Sequence, residues 1–279
     1  MGGVLSDDRD RVPVALRATI VYTVHKSLAD QMDSVHIKRG QKSKPVARTV
    51  TPARDTYRHG DLQRALLDAG IALARHGGPE AVVLREATRR AGVVPNAAYR
   101  HFANRDALLG AVRAAALADF ARAIEAEFAR VPAGSPAAVA RGQLRAVGIA
   151  YLRFARDETG LFRTAFADAP APPTPPDPAM AGASGLNPFQ LLGAALDAMV
   201  AAGVLAPPHR PDAEYLAWST VHGLAMLILN GPLRSRTRAE LDALGARLID
   251  MVEDGLAAAR TPARSRGGRS SARRRARAG

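Results

Sequence analysis

The amino-acid sequence predicts an all-α fold, and three observations lead to that prediction. Apolar residues recur at spacings of three and four over most of residues 57–259, which places them on one face of a helix. Glycine and proline, which end helices, separate these periodic stretches. The strand-like run IVYTVH at 20–25 has no second such run nearby with which to pair. We therefore expect helices joined by turns and loops, without a sheet.

The composition excludes several classes of protein. The chain has 279 residues, of which 47% are hydrophobic, enough for one large domain or two smaller ones with a sizeable core. It has no cysteine, which excludes disulfides, thiolate metal sites and cysteine nucleophiles. No apolar run reaches about eighteen residues, and no apolar stretch directly follows the N-terminal MGGVLSDDRDR. We therefore expect no membrane span and no secretory signal, and hence a cytoplasmic protein.

The positive charge is concentrated at the two ends of the chain. The net charge is +13, with ten Lys and Arg against five Asp and Glu in residues 1–54, and eight Arg without an acid in residues 260–279. The sequence between them carries no net charge. We predict a flexible basic N-terminal arm over 1–54, in which Met32 is an alternative start, and a disordered Arg-rich tail over 260–279. The net charge alone is therefore weak evidence for binding nucleic acid.

Four helices are expected before Pro132. The first carries one apolar stripe, from Leu62 to Leu73, and ends at the HGG of 76–78. The fourth is long and repeats apolar residues every four positions. The expected limits of the second, third and fourth helices are Glu80–Ala91, Pro95–Phe102 and Arg105–Arg130.

A second set of helices is expected after Pro136. An apolar stripe that begins at Leu144 ends near Asp157, and the short segment GLFRTAFADA follows. Residues 170–185 contain six prolines and are predicted to form a loop. Three further helices are expected at 187–202, 212–229 and 238–259.

The segment around GVVP, residues 92–95, has the features of a helix-turn-helix. Glycine adopts positive φ without a steric cost, as a sharp helix exit requires, and proline suits the first position of the next helix. A third helix of about seven residues is roughly 10 Å long, which suits end-on entry into a major groove about 12 Å wide. We expect three of its residues to point outward, namely Asn96, Ala97 and Arg100. Ala98 and Phe102 should point inward, as should Ala91 at the end of the second helix.

The side chains of this segment suit contacts with DNA. Asparagine can read adenine, arginine can read guanine or bind a phosphate, and alanine can touch a thymine methyl group. Tyr99 and His101 are placed to bind backbone phosphates, although each could instead be a core aromatic residue. Arg105 opens the fourth helix, where a guanidinium and a helix N-terminus both favour an anion.

Residues 57–112 resemble the N-terminal DNA-binding domain of the TetR family of bacterial transcriptional regulators. The resemblance rests on HGDL, GPE, LRE, AGV, NAAYRHF and RDALL. It implies a helix-turn-helix DNA-binding domain at 55–105, in which Tyr99, His101 and Arg105 hold phosphates. The chain departs from the family pattern at Val94, where a capping Ser or Thr is usual, and at Thr88, where Ala is usual. Because a missing cap costs about 1 kcal/mol, we expect the third helix to be more mobile without DNA.

The resemblance also implies a helical ligand-sensing and dimerisation domain at 106–259, in which the last two helices pair with those of a second copy. The element WSTVHG at 218–223 resembles the Trp-x-x-x-His-Gly signature of one subgroup of the family. We prefer a core or interface role for its Trp and His to a ligand contact. The candidate dimer-interface residues are Trp218, His222, Leu241, Leu244, Leu248 and Met251. The candidate pocket residues are Tyr151, Phe154, Phe162, Phe166, Phe189 and Met199, although aromatic residues at helical spacing are more often plain core.

Taken together, these features predict a dimeric, ligand-responsive transcriptional regulator. We expect a cytoplasmic, nucleoid-associated homodimer that represses transcription from a palindromic operator in double-stranded DNA and is released by a small-molecule effector. No catalytic motif is found, and the seven histidines lack metal-like pairing, so we expect no enzyme, no cofactor and no metal. The alternative is a non-specific architectural DNA-binding protein driven by the basic ends. An enzyme with an added helix-turn-helix is a more remote reading.

Overall fold

The computed structural model of the protein describes residues 59–167 and 175–258. These ranges exclude the basic arm, the strand-like run at 20–25, residues 170–174 of the proline-rich loop and the Arg-rich tail. Within the described ranges the chain is all-helical, as the sequence predicts, and contains no strand. No helix in these ranges is long and apolar enough to cross a membrane.

Nine α-helices make up the described part of the chain. Short 3₁₀ turns at Pro79–Ala81, Pro178–Met180 and Pro207–His209 lie between some of them. The helices are α1 His59–Gly77, α2 Leu84–Ala91, α3 Pro95–Ala98, α4 Arg105–Phe128, α5 Pro136–Asp157, α6 Thr159–Phe166, α7 Pro188–Ala201, α8 Ala213–Leu229 and α9 Arg238–Ala258.

Two of the predicted helices are shorter than expected. The second does not begin at Glu80, because Gly78 has φ 71° and Val82 has φ −76° and ψ 89°, so a 3₁₀ turn precedes α2. The third does not reach Phe102 as an α-helix, since α3 ends at Ala98 and the chain continues as a hydrogen-bonded turn. In that turn the backbone N–H groups of His101 and Phe102 both donate to the carbonyl of Ala98.

Helices α1 to α3 form a small domain that packs on the start of α4. Helices α1 and α4 approach closely at Gly70, where an added Cβ would lie 2.8 Å from Cγ2 of Val112. Leu108, on the first turn of α4, is fully buried and lies beside it. A glycine at this position lets the two helices pack backbone to side chain without a gap.

Helix α4 joins the small domain to the larger one. It has 24 residues and is therefore about 36 Å long. Its first turns pack against α1, while Phe120 and Ile124 lie in the core of the larger domain, where α4 packs against α5, α6 and α7. Most of the buried apolar side chains form one cluster that runs from Leu66 to Leu256, and Leu224, Ile228 and Leu241 form a second, smaller one. The small domain is thus fixed to the end of a helix that is rooted in the larger core.

Helix α6 makes a second connection between the two domains. It packs so closely on the end of α1 that a methyl group at Gly160 would overlap the carbonyl oxygens of Ala74 and Arg75. Arg75 of α1 also pairs with Glu158, just before α6, at 2.8 Å. A change in the position of α6 would therefore displace the end of α1 directly.

Ion pairs fasten α9 along the length of α5. Arg156 on α5 pairs with Asp242 on α9 at 2.7 Å, and Arg238 on α9 pairs with Asp157 at 2.7 Å. Near the other end, Arg141 pairs with Glu253 at 2.5 Å. Most of these groups are partly exposed, so each pair contributes little to stability, but together they fix the register of the two helices.

Candidate nucleic-acid interface and internal cavity

The turn between α2 and α3 has the geometry that the sequence predicts. Gly92 lies in the left-handed region, with φ 68° and ψ 27°, and its N–H donates to the carbonyls at the end of α2. Thr88, which departs from the family pattern, is buried, and its hydroxyl donates to the carbonyl of Arg85 at 2.7 Å. The hydroxyl is thus satisfied inside the helix and costs little by being buried there.

Helix α3 begins at Pro95 without a capping side chain. Val94 occupies the N-cap position in an extended conformation, and no side chain accepts a hydrogen bond there. The Val94 side chain is 69% exposed. The absence of a cap is therefore confirmed, while the higher mobility inferred from it stays a prediction.

The segment from Asn96 to Phe102 has a buried side and an exposed side. Ala98 is fully buried and Phe102 is 5% exposed, so these two residues anchor the segment to the small domain. Asn96 and Arg100 are exposed, and Tyr99 is 58% exposed. Ala97 and His101 are half-buried at the edge of the exposed side. The polar side chains predicted to contact DNA therefore share a surface of the small domain.

Arg105 has a role that the sequence did not reveal. Its Nε donates to the carbonyl of Val82 at 2.9 Å and its Nη2 to the carbonyl of Pro79 at 2.6 Å, so the side chain braces the turn before α2. The N-terminus of α4 is capped by Asn104, whose Oδ1 accepts the N–H of Ala107 at 2.8 Å. An Asn directly before a periodic helix is a capping signal that could have been read from the sequence.

Helix α2 adds charged groups beside the exposed segment. Arg85 is exposed, while Arg89 and Arg90 both bind the carboxylate of Glu86, at 2.6 and 3.3 Å. The hydrogen bond from Arg89 is the main reason why the pKa of Glu86 falls to about 2. Glu86 therefore stays ionised at neutral pH and holds two guanidinium groups at the surface of α2.

The larger domain encloses a cavity of about 150 Å³. Its walls come from α4, α5, α6, α8 and α9 and from the start of α7, and they are formed mostly by apolar side chains. Of the predicted pocket residues, Tyr151, Phe166 and Phe189 line the cavity.

The other three pocket candidates are core residues that do not line the cavity. Phe154 stacks on Phe120 with ring centroids 5.1 Å apart. Phe162 is 2% exposed and Met199 is fully buried. They lie on the same helices as residues that do line the cavity, and the apolar pattern alone does not separate the two groups.

Two polar groups of the cavity wall, on Tyr151 and Trp218, form a hydrogen-bonded chain with His222. The indole N–H of Trp218 donates to the hydroxyl oxygen of Tyr151 at 3.1 Å, which leaves the phenol O–H to donate to Nδ1 of His222 at 2.6 Å. Burial raises the pKa of Tyr151 and lowers that of His222, so both side chains are neutral at neutral pH. Trp218 lines the cavity, so the sequence-based preference for a role away from the ligand does not describe its position fully.

An apolar stripe lies on the outer face of α8 and α9. On α8, Leu216, Met226 and Leu227 are 61%, 39% and 48% exposed. On α9, Leu244 and Met251 are 37% and 69% exposed.

Two other interface candidates are less accessible than this stripe. Leu248 is half-buried, and Leu241 is only 7% exposed because it packs on Leu224 and Ile228 inside the subunit. The three α8 residues of the stripe were missed because apolar runs do not show which side of a helix is covered.

No group of three or more His, Cys, Asp or Glu within residues 59–167 and 175–258 is arranged to hold a metal ion. The polar chemistry of this part of the chain is instead found on the exposed segment of the small domain and at the wall of the cavity.

Comparison with known proteins agrees with this two-part organisation. Residues 66–112 match the model for bacterial regulatory proteins of the tetR family, and residues 144–252 match the model for the tetracyclin repressor-like C-terminal domain. No curated protein matches the chain.

Solved structures that resemble the chain include three bacterial proteins. A protein of unknown function from Rhodococcus sp. RHA1 is 26% identical, with a TM-score of 0.58 over 73% of this chain and 100% of that one. A bacterial regulatory protein of the tetR family from Rhodococcus RHA1 is 17% identical, with a TM-score of 0.43 over 68% and 96%. A TetR transcriptional regulator from Streptomyces coelicolor is 24% identical, with a TM-score of 0.35 over 70% and 98%.

The two sequence models carry the assignment. One covers most of the small domain with its exposed segment, and the other covers most of the helices that enclose the cavity. The chain belongs to the TetR family of bacterial transcriptional regulators.

Proposed function

We propose that the protein is a homodimeric repressor that binds a palindromic operator and is released from it by a small molecule held in the cavity. The observation that carries the proposal is the exposed segment of the small domain. Its anchor residues are buried, while Asn96, Tyr99 and Arg100 face solvent on one side. A short helix with this arrangement suits entry into a major groove by its N-terminal end.

We assign the contacts by the chemistry of each side chain. Asn96, Ala97 and Arg100 suit contacts with base edges, because their amide, methyl and guanidinium groups complement groups in the major groove. Tyr99 and His101 suit hydrogen bonds to phosphates on either side. Two nitrogens of Arg105 already bind carbonyl groups, so its contribution to DNA binding comes partly from bracing the turn before α2.

The operator is the direct test of this proposal. Selection of bound sequences from fragments of the source genome, followed by footprinting, should yield an inverted repeat with half-sites about one helical turn apart or somewhat more. Protection without an inverted repeat would contradict the proposal. So would retention of binding by a probe in which one half-site has been scrambled.

Variants of the exposed segment test the assigned contacts. Arg100→Ala should weaken operator binding by about 1–3 kcal/mol and relax the sequence preference at one base pair. Tyr99→Phe, which removes only the hydroxyl, should weaken binding to all sequences by a smaller amount. The matched control is Arg130→Ala, an exposed arginine beyond the far end of α4, about 36 Å along that helix from Arg105. Equal effects of Arg100→Ala and Arg130→Ala would mean that net charge alone drives binding.

Effector control follows from the connections between the two domains. Helix α6 contributes Ala165 and Phe166 to the cavity wall, and its first turn packs on the end of α1. A ligand that shifts α6 would therefore change the position of the small domain relative to α4. The ligand need only bind more tightly to the form whose two DNA-binding domains are wrongly spaced, and operator DNA then weakens ligand binding by the same factor.

The second function considered is non-specific DNA binding by the basic ends, residues 1–54 and 260–279. The apolar core lies within residues 66–256, so a chain trimmed to 55–259 loses none of these core residues. Loss of all binding on trimming, with a steep dependence on salt before it, would favour the architectural function. Retention of binding to the inverted repeat would favour the repressor.

A further inference from the structure

Arg113 is the one charged residue among the described residues that line the cavity. It lies on α4, and its side chain is half-buried. Its Nε donates to the carbonyl of Thr164 at 3.3 Å and its Nη2 to the carbonyl of Ala167, at the end of α6. No carboxylate of residues 59–167 or 175–258 pairs with it. A guanidinium beside apolar walls without a counter-ion is costly, and a bound anion would offset that cost.

The second polar group available to a ligand in the cavity is the side-chain amide of Asn187. This residue is 9% exposed, lines the cavity, and caps α7 by accepting the N–H of Gln190 on its Oδ1 at 3.0 Å. Because the oxygen is used in the cap, the Nδ2 group is left to donate, and within the described part of the chain it has no hydrogen-bond partner. It is therefore a second donor that lines the same cavity.

The remaining polar groups of the cavity wall already have hydrogen-bond partners within the protein. The hydroxyl of Tyr151 and the indole N–H of Trp218 are bonded to each other, and the phenol is also bonded to His222. No Asp or Glu lies among the described lining residues. The side chains open to a ligand thus offer donors and positive charge, while the rest of the wall offers apolar contact.

Building on the proposed role of the cavity as the effector site, we propose that the effector is a small amphipathic organic anion. Its carboxylate binds the free N–H groups of Arg113 and the Nδ2 group of Asn187. Its apolar body lies among Leu117, Phe120 and the aromatic residues of α6 to α8. A cavity of about 150 Å³ in an apolar core accommodates a body the size of benzene, so one aromatic ring or a short branched alkyl chain fits.

A ligand bound in this way changes the contacts that hold the C-terminal end of α6. The guanidinium of Arg113 holds carbonyl groups at the C-terminal end of α6, and a carboxylate competes for the same group. A carboxylate adds an attraction between opposite charges that the neutral carbonyls lack, so the anion draws Arg113 away from these carbonyls. The helix that is released at one end is the helix that packs on α1 at the other.

The chain carries its own reporter for this binding. Trp218 is the single tryptophan of the 279 residues, and it lines the cavity. The test is a titration of the full-length chain with 3-phenylpropanoate and, separately, with its neutral amide, 3-phenylpropanamide, followed by tryptophan fluorescence. We expect the acid to bind roughly tenfold more tightly than the amide, because it adds charge-assisted hydrogen bonds to the same apolar contact. Equal affinity of the two probes, or no change in fluorescence with either at millimolar concentration, would overturn the proposal.

Variants of Arg113 show whether this residue provides the preference. In Arg113→Gln the acid should bind no more tightly than the amide, while the affinity for the amide should be unchanged. Arg113→Lys keeps the charge and should keep part of the preference. Far-UV circular dichroism checks that each variant folds, and the comparison of the two probes on the unmodified chain needs no variant at all. A preference for the acid that survives in Arg113→Gln would overturn the assignment.

The chain's own carboxylate at residue 168 serves as the control. Asp168 lies outside the described residues, directly after Ala167. In Asp168→Asn we expect an unchanged affinity for the acid. A marked gain in affinity would show that Asp168 occupies Arg113 in the free protein, and the case for an anionic ligand would then fail.

This test is independent of DNA binding. A chain that binds the acid through Arg113 but recognises no operator would retain the cavity assignment and lose the repressor function. A chain that protects an inverted repeat but does not distinguish the acid from the amide would retain the repressor function and lose the anionic effector.

Discussion

Glu125 holds the loop before α7 against α4. The carboxyl group is 2% exposed, and it accepts the N–H groups of Ala183 and Ser184 at 2.9 Å and the hydroxyl of Ser184 at 2.5 Å. Among the described residues, the hydrogen-bond partners of this carboxyl group are all neutral donors. These hydrogen bonds therefore offset the cost of burying the carboxyl group. Met180 of the same loop lines the cavity, which means that Glu125 also fixes one part of the cavity wall.

We predict that Glu125→Gln destabilises the protein by about 1.5–3 kcal/mol. The new amide nitrogen can only donate, so it faces a donor where the carboxyl oxygen had accepted. Denaturation by urea, followed by circular dichroism, measures the change. The matched control is Asp250→Asn, which removes one partner of the exposed pair with Arg145 and should cost no more than about 1 kcal/mol. Similar losses in both variants would show that Glu125 acts merely as one more surface charge.

His222 should make the stability of the protein depend on pH in the weakly acidic range. Burial lowers the pKa of His222 from its usual value of 6.5, so the unfolded chain takes up a proton at a higher pH than the folded chain. Stability therefore falls as the pH drops through 6.5 towards the folded-state pKa. The variant His222→Gln, which keeps an acceptor for Tyr151, should lose less stability over the same interval.

The comparison between chain and variant isolates this residue from the other titrating groups. The free energy of unfolding, measured at several pH values between about 7.5 and 5.5, gives a slope for each protein. A steeper slope for the native chain agrees with a neutral His222 that accepts the phenol hydrogen. Parallel slopes would contradict it.

The fate of single side chains separates what could be predicted at the exposed segment from what could not. Ala98 and Phe102 are buried as predicted, because a spacing of four on a short helix places both on one side. The bonds of Arg105 to the carbonyls of Val82 and Pro79 were not predictable, since they depend on a 3₁₀ turn more than twenty positions earlier. Periodicity reports which face of a helix is covered, but a long-range hydrogen bond depends on where two loops meet.

Among the helices, those with one clear apolar stripe were predicted best. The start and end of α8 and α9 lie within one residue of the expected limits, because both helices have an uninterrupted apolar repeat. The predicted start of α2, at Glu80, was wrong. The residues after Gly78 fit a helical pattern, but Pro79–Ala81 form a 3₁₀ turn, and α2 begins only at Leu84. Phe162 and Phe166 were both proposed for the pocket, and only Phe166 reaches it, since residues one turn apart on α6 sit at different depths.

Helix α6 is the element whose position we expect to tolerate least change. The matched substitutions are Gly160→Ala on α6 and Gly110→Ala on α4. An added methyl group at Gly160 overlaps two backbone carbonyls of α1, whereas at Gly110 it meets no atom within 4 Å. We predict that Gly160→Ala costs about 1–3 kcal/mol through overpacking. Gly110→Ala should instead stabilise the protein by roughly 0.5–1 kcal/mol, because glycine is unfavourable inside a helix.

Thermal unfolding of the two variants decides between these outcomes. If α6 links the cavity to the DNA-binding domain, Gly160→Ala should also change the affinity for operator DNA at a temperature where the variant is fully folded. An equal melting temperature for both alanine variants would show that α6 can move away from α1 without cost, and the proposed route of control would then lose its basis.

Considered as a unit, the subunit carries the segment proposed to bind DNA on its small domain and an apolar stripe along α8 and α9. The stripe contains small as well as large residues, since Gly223 has no neighbouring atom within 4 Å of an added Cβ. Leu216 and Leu227, eleven residues apart, lie on the same side of α8, and the exposed Leu244 and Met251 lie two turns apart on α9. An exposed apolar stripe on two adjacent helices is an expected surface for pairing with a second copy.

We predict that Leu227→Glu converts the protein to a monomer. In a twofold interface each substitution appears twice, so two carboxylates would lose water without gaining partners, at a cost on the order of 2 kcal/mol or more. The matched control is Val83→Glu, because Val83 is 45% exposed and Leu227 is 48% exposed, but Val83 lies in the small domain. Sedimentation equilibrium should give the mass of one chain for Leu227→Glu and of two chains for Val83→Glu.

Because an inverted repeat needs two linked DNA-binding domains, Leu227→Glu should also lose the higher affinity for a full operator over a single half-site. A dimeric Leu227→Glu variant with intact operator affinity would place the interface elsewhere on the subunit.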